Sequence, residues 1–143
     1  PVFQILGTNY LKKCISTILE SDNHKQDLFT KIDFVYKNAV ASVKVGKGVK
    51  SEGELIISGT NGYIYVPAPW WKMDYFEIRY ENIEKNKRYF YQLYGEGIRE
   101  ELVAFVHAVD NKKMPNYINQ DVSKAICRIM EDYNSGRDVV YLE

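Results

Sequence analysis

The stretch "ELIISGTNGYIYV", Glu54 to Val66, sets two strand-favouring apolar runs on either side of Thr60-Asn61-Gly62. Asn-Gly accepts the positive φ angles of a type I′ turn or a related bulged turn, so the stretch predicts an antiparallel hairpin. Pro67 and Pro69 follow at once, and neither can donate to a strand ladder. The strand therefore ends near Val66, and the chain leaves the sheet carrying Trp70, Trp71 and Lys72.

Working outward, the same strand signal repeats. "LFTKIDFVY" alternates through Phe29, Ile32, Phe34 and Tyr36, and the pair Lys37-Asn38 turns it into "AVASVKVG", a second hairpin. "DYFEIRYE" places Tyr75, Glu77, Arg79 and Glu81 on one side and Phe76, Ile78 and Tyr80 on the other. The polar turn "NIEKNK" leads to the aromatic strand "RYFYQLYG". "YLKKCISTILES" fits a helix through Leu11, Ile15, Ile18 and Leu19, but its alternation and β-branched cluster also fit a strand, the reading adopted here. After Gly95 the period changes. Ile98, Leu102, Phe105, Val106 and Val109 recur at helical spacing, as do Val122, Ile126, Ile129, Met130 and Tyr133, stopped by Asn134-Ser135-Gly136. Strands followed by helices define an α+β class: an open, largely antiparallel mixed β-sheet with two amphipathic helices packed on one face.

Composition narrows the function. The 143 residues read as one compact domain, residues 1–143. Nineteen basic and nineteen acidic side chains cancel, so no overall field exists to hold nucleic acid or an anionic membrane. No apolar run spans a bilayer and no signal-type stretch opens the chain, which reads as cytoplasmic. Cys14 and Cys127 are too few for a disulfide framework; Cys127, within a helical stripe, reads as a buried thiol in a reducing compartment. The chain begins at Pro1 without methionine and runs into "VFQILG", which reads as the last turns of a helix stopped by Gly7 in a piece of something longer.

Chemical motifs are sparse. "GEGIRE" at Gly95 has the first two glycines of a dinucleotide fingerprint but lacks the third, and is better read as a strand end and helix start, with Glu96 favourable at the N-terminal end of the dipole. His24, in a polar loop, and His107, on the polar side of a helix, have no ligand partners at metal spacing. "KRYFY", Lys87 to Tyr91, resembles aromatic strands that stack single-stranded nucleic acid, but the zero net charge favours sheet packing. Trp70 and Trp71 read equally well as an interface or pocket wall and as a corner plug with one ring buried. No residue is assigned as catalytic, cofactor-binding or metal-binding.

"KVGKGVKSEGELIISGTNGYIYVPAPWWK", "YFEIRYEN", "GEGIREEL" and "DVSKAICRIMEDY" together resemble the C-terminal domain of the Gfo/Idh/MocA oxidoreductases, the glucose-fructose oxidoreductase and inositol dehydrogenase family. The resemblance implies a substrate-side and dimerisation domain of an NAD(P)-dependent dehydrogenase acting on a sugar, polyol or sugar derivative. It also implies that NAD or NADP and the catalytic lysine belong to an N-terminal Rossmann domain absent from this chain, so that the fragment alone is inactive. Within the chain, Trp70, Trp71 and Lys72 become candidate substrate-binding or interface residues, and Arg79 a polar group on the sheet face. A homo-oligomer through that face is the expected partner. The rival reading is a non-enzymatic, self-associating sheet domain serving as a protein interaction module.

Overall fold

A computed structural model describes residues 1–20, 26–91, 95, 97–111 and 119–142. In chain order the elements are α1 (Val2–Leu6), β1 (Lys12–Leu19), β2 (Asp27–Val35), β3 (Val40–Gly46), β4 (Leu55–Gly59), β5 (Gly62–Val66), β6 (Tyr75–Tyr80), β7 (Lys87–Phe90), α2 (Ile98–Asn111), α3 (Gln120–Asn134) and β8 (Val139–Leu142). Contacts divide the chain into two compact units, residues 1–51 with 116–143, and residues 52–115.

The first unit is a four-stranded sheet in the order β3-β2-β1-β8. Its first three strands are antiparallel, and β8 returns parallel to β1, with Ile15 opposite Val139. This sheet is mixed, as expected, but the described strands form two sheets rather than the one read from the sequence; "KKCISTIL" is a strand. Alternation turns Lys13, Ile15 and Thr17 to the covered face, where Ile15 and Thr17 are fully buried. Phe3 of α1, Phe34 of β2, Tyr36 and Ile129 of α3 complete the core, with Val122, Ala125 and Tyr133 of α3 packed around it. Both helices of this unit therefore share one face of the sheet. Gly7 ends α1 at φ 80, and its carbonyl accepts the Tyr36 hydroxyl at 2.9 Å. Burial, then the nearby Tyr10, pushes the Tyr36 phenol up.

Among the described residues, no polar side-chain atom buried on that face lacks a partner. Thr17 Oγ1 lies 2.9 Å from Thr30 Oγ1 and 3.4 Å from the Tyr133 hydroxyl. Lys13 Nζ sits 2.7 Å from Asp132 and 2.5 Å from Asp138, and Arg137 adds a 3.0 Å contact to Asp132. Burial pulls the Lys13 ammonium down, but the hydrogen bonds to Asp132 and Asp138 together raise it above the ordinary 10.5. The hydrogen bond from Lys13 in turn holds Asp132 below its ordinary 3.8. The α3 helix starts where the Asn119 side chain accepts the Asp121 N–H at 3.0 Å, and stops at Ser135-Gly136 as the sequence predicts. Cys127 on α3 is exposed rather than buried, because the helix turns Ile129, not Cys127, to the core; both cysteines are free thiols.

The second unit is an antiparallel meander, β4-β5-β6-β7. Gly59 pairs with Gly62, so the loop of the predicted hairpin is Thr60-Asn61. A type I′ turn needs positive φ at both loop residues, and neither is among the described positive-φ residues; Gly62 carries it instead, at 156°. A Cβ at Gly62 would lie 2.4 Å from the Arg79 carbonyl oxygen, so only glycine lets β6 approach. The "NIEKNK" turn is held by Asn82, which caps Glu84 N–H at 3.0 Å, and by Asn86 Oδ1, which accepts Tyr80 N–H at 2.8 Å. The α2 helix departs from expectation. Its apolar stripe is exposed, from 53% at Val106 to 64% at Phe105, and its buried position is Ala108. Periodicity sets which side chains share a face, but not what covers that face. No helix among the described residues is long and apolar enough to cross a membrane.

Two substitutions test this packing. Ile15→Ala should cost about 2–5 kcal/mol, and Gly62→Ala at least about 1 kcal/mol, read from denaturant midpoints; wild-type midpoints in both would contradict the packing described. The Lys13 contribution is complete below the unfolded lysine value and is lost as pH rises through the higher folded one. The Asp132 contribution is complete above 3.8 and is lost as pH falls through the lower folded value. The difference in melting temperature between wild type and Lys13→Met should therefore stay flat between about pH 5 and pH 10 and shrink on both sides. A difference independent of pH would exclude the ion pair as its source.

Candidate functional site

The two prolines act as the sequence predicts. The Ala68-Pro69 bond is cis, and Trp70–Lys72 forms one 3-10 turn after β5. Trp70 N–H donates to the Gly53 carbonyl at 2.8 Å, and Lys72 N–H to the Pro69 carbonyl at 2.9 Å. A Cβ on Gly53 would meet the Trp71 ring at 3.2 Å, so glycine there lets the indole lie against the backbone. The two indoles meet edge to face at 5.9 Å. Trp70 is 36% exposed and Trp71 59%, so neither ring plugs a corner. They line an apolar hollow of about 350 Å³ with Leu55, Val66, Met73 and Tyr91. Lys72 is exposed beside this hollow and is not part of its wall.

Arg79 stands elsewhere, on the face of β6 that also carries Tyr75 and Glu77. The register places Tyr63 of β5 opposite Arg79, Tyr65 opposite Glu77, and Arg88 of β7 opposite Glu77. Glu77, only 9% exposed as a residue, accepts Arg79 Nε at 2.6 Å and Arg88 Nε at 2.7 Å on its carboxylate, and also the Arg88 Nη2 group. Arg79 Nη1 reaches the Tyr63 hydroxyl at 3.3 Å. Its guanidinium lies 4.4 Å over the Tyr65 ring, and that of Arg88 lies 4.7 Å over Tyr75. Hydrogen bonds from Arg79, then Arg88, hold the Glu77 carboxyl below the usual carboxylate range; those to Tyr63 and Glu77 raise Arg79 further. Sequence reading found Arg79 but missed Glu77 and Arg88. The alternation of "YFEIRY" was the available signal, and the β6–β7 register was the missing step.

The four residues singled out from sequence thus divide between two places. Neither place holds a metal-binding set: no cluster of three or more His, Cys, Asp or Glu exists among the described residues. His107 is exposed on α2, while His24 and Glu96 lie outside the described residues. Gly95 and Gly97 precede α2 with φ near 80°. They do not fit a dinucleotide cradle, because among the described residues β7 pairs with β6 alone, antiparallel, and the cradle requires a parallel β-strand feeding the helix.

No protein-family profile matches the chain, and no curated protein matches it in sequence. Among solved structures, two mutant forms of KijD10, a 3-ketoreductase from Actinomadura kijaniata in complex with TDP-benzene and NADP, share the fold. One superposes with a TM-score of 0.71 over 99% of this chain, the other with 0.70 over 99%, each at 10% identity. The chain spans 45% and 44% of their lengths, less than half of either. At this identity the likeness establishes the α+β fold. It agrees with the C-terminal domain architecture that the sequence resemblance implied.

The exposed indoles can be checked directly, because Trp70 and Trp71 are the only tryptophans. Native emission should be quenched readily by iodide, and Trp71→Phe should remove the larger quenchable part. Emission shielded from iodide in the folded chain would show that both rings are covered.

Proposed function

We propose that this chain is the substrate-side and assembly part of an NAD(P)-dependent oxidoreductase acting on a sugar, polyol or sugar derivative. The observation that carries the reading is the shared fold over 99% of the chain with a 3-ketoreductase bound to NADP and a TDP compound. The cofactor and the acid-base group are assigned to the remainder of such an enzyme, since the Gly95-Gly97 junction does not fit a dinucleotide. This chain's own contribution is a wall. The Trp70-Trp71 hollow offers flat apolar faces to the carbon face of a sugar ring, and Lys72 at its edge offers a donor to a hydroxyl or anionic group. Self-association through an open sheet face completes the reading.

The test uses the protein translated from its complete reading frame. It should bind NADH or NADPH, oxidise one of them with a member of a keto-sugar panel, and sediment as an oligomer, whereas the 143 residues alone should be inactive. Lys72→Ala should raise KM about tenfold with kcat nearly unchanged, the pattern of lost uniform binding. A full-length protein that binds neither nucleotide would overturn the reading, and unchanged KM in Lys72→Ala would remove Lys72 from the substrate site.

A further inference from the structure

The Glu77-centred cluster opens onto a recess of about 430 Å³ lined by Glu77, Arg79, Ile83, Asn86, Lys87 and Arg88. Its polar lining is unbalanced. The one carboxylate has both oxygens occupied, Oε2 by Arg79 and Oε1 by Arg88. Asn86 Oδ1 is occupied by the Tyr80 N–H. The remaining groups are donors: Arg79 Nη2, Arg88 Nη1 and the Asn86 amide, none with a side-chain partner among the described residues; Lys87 lines the recess from a position opposite Ile78, which turns its side chain to the other face of the sheet. Two guanidiniums against one carboxylate leave one positive charge at the recess.

The two guanidiniums are also fixed in place. Each is held on one edge by Glu77 and on one face by a tyrosine ring, Tyr65 for Arg79 and Tyr75 for Arg88. The rotamer entropy that usually weakens an arginine-anion contact has therefore been lost on folding rather than on binding. Side-chain exposures of 36% for Arg79 and 53% for Arg88 leave their outer edges open to a ligand.

We propose that this recess is a binding site for an oxyanion of the phosphate type, free or carried by a small phosphorylated molecule, with Arg79 and Arg88 as paired ligands, Asn86 as a flanking donor, and Glu77 as the residue that positions the pair. Phosphate suits the site because it accepts forked guanidinium bonds and carries the negative charge that two arginines on one carboxylate lack. The inference stands on the recess alone and does not depend on the oxidoreductase reading.

The test is a titration of the 143-residue chain at constant ionic strength, followed by amide and arginine Nε–H resonances, with inorganic phosphate, pyrophosphate and thymidine 5′-diphosphate as probes. Saturable shifts centred on β6 and β7 are expected, weakened about tenfold in Arg79→Gln and in Arg88→Gln. If either variant loses its dispersed spectrum, Arg88→Lys decides: it keeps the charge without the fork, so weakened binding supports the site and wild-type affinity overturns it. Pyrophosphate and the nucleotide binding alike would define the phosphates as the whole ligand, and a tighter nucleotide would add a base contact to the same site. Shifts that grow linearly without saturation, or that persist unchanged in both folded glutamine variants, would overturn the proposal whether or not the full-length protein proves to be a dehydrogenase.

Discussion

A lysine on the covered face of a strand constrains the whole first unit. Lys13 is 7% exposed, and an ammonium so placed is tolerable only with carboxylates in contact. Asp132 supplies one from the last turns of α3, and Asp138 supplies the other from the residue that leads into β8. The end of the helix and the start of the returning strand are thereby tied to one atom of β1. The backbone agrees, since Ile15 N–H donates to the Asp138 carbonyl at 2.9 Å and Asp138 itself adopts φ 58. Asn, Asp and glycine are the residues that reach such a conformation most readily, so one aspartate serves both as counter-ion and as corner.

The same lysine explains why β1 was the hardest strand to read. A half-buried strand is recognised by apolar residues at alternate positions, and here the covered positions are Lys13, Ile15 and Thr17. Only one is apolar, and the exposed Leu11 adds a misleading helical partner for it. The hairpins were legible because their signals are local: a two-residue loop, a glycine at the point of closest approach and clear alternation in "YFEIRY". The β8 strand was not legible, because four residues after a helix stop acquire their meaning from a parallel partner more than a hundred residues away.

Helices show the complementary limit. Both periodic segments are helical, and of the α3 stripe Ile129 is buried and Val122 and Tyr133 half-buried, while Ile126 and Met130 are exposed. The stripe of α2 is as regular, yet its members are exposed, and the stripe placed Cys127 on the wrong side of α3. Amphipathic spacing is a property of one segment, whereas burial is a property of two surfaces. The candidate site has the same character. The Trp-Trp corner announces itself through two prolines, but Glu77 becomes a partner of Arg88 only when the register of β6 and β7 is known.

The Lys13 and Glu77 ion clusters use similar groups and differ in their charge balance. In the first unit Lys13 and Arg137 face Asp132 and Asp138, two cations against two carboxylates. Threonine and tyrosine hydroxyls close the rest of that buried face, and the cluster asks for no further partner. In the second unit Arg79 and Arg88 converge on Glu77 alone, two cations against one carboxylate, with the guanidiniums partly open to solvent. A balanced, buried cluster fixes elements in place, and its value lies in the desolvated charge it would strand if broken. An unbalanced cluster at a surface gains little stability from its excess charge, because water screens it. Holding two arginines in register on tyrosine faces is therefore poorly explained by stability alone, and the excess donors are the feature that distinguishes a binding surface from a structural pair.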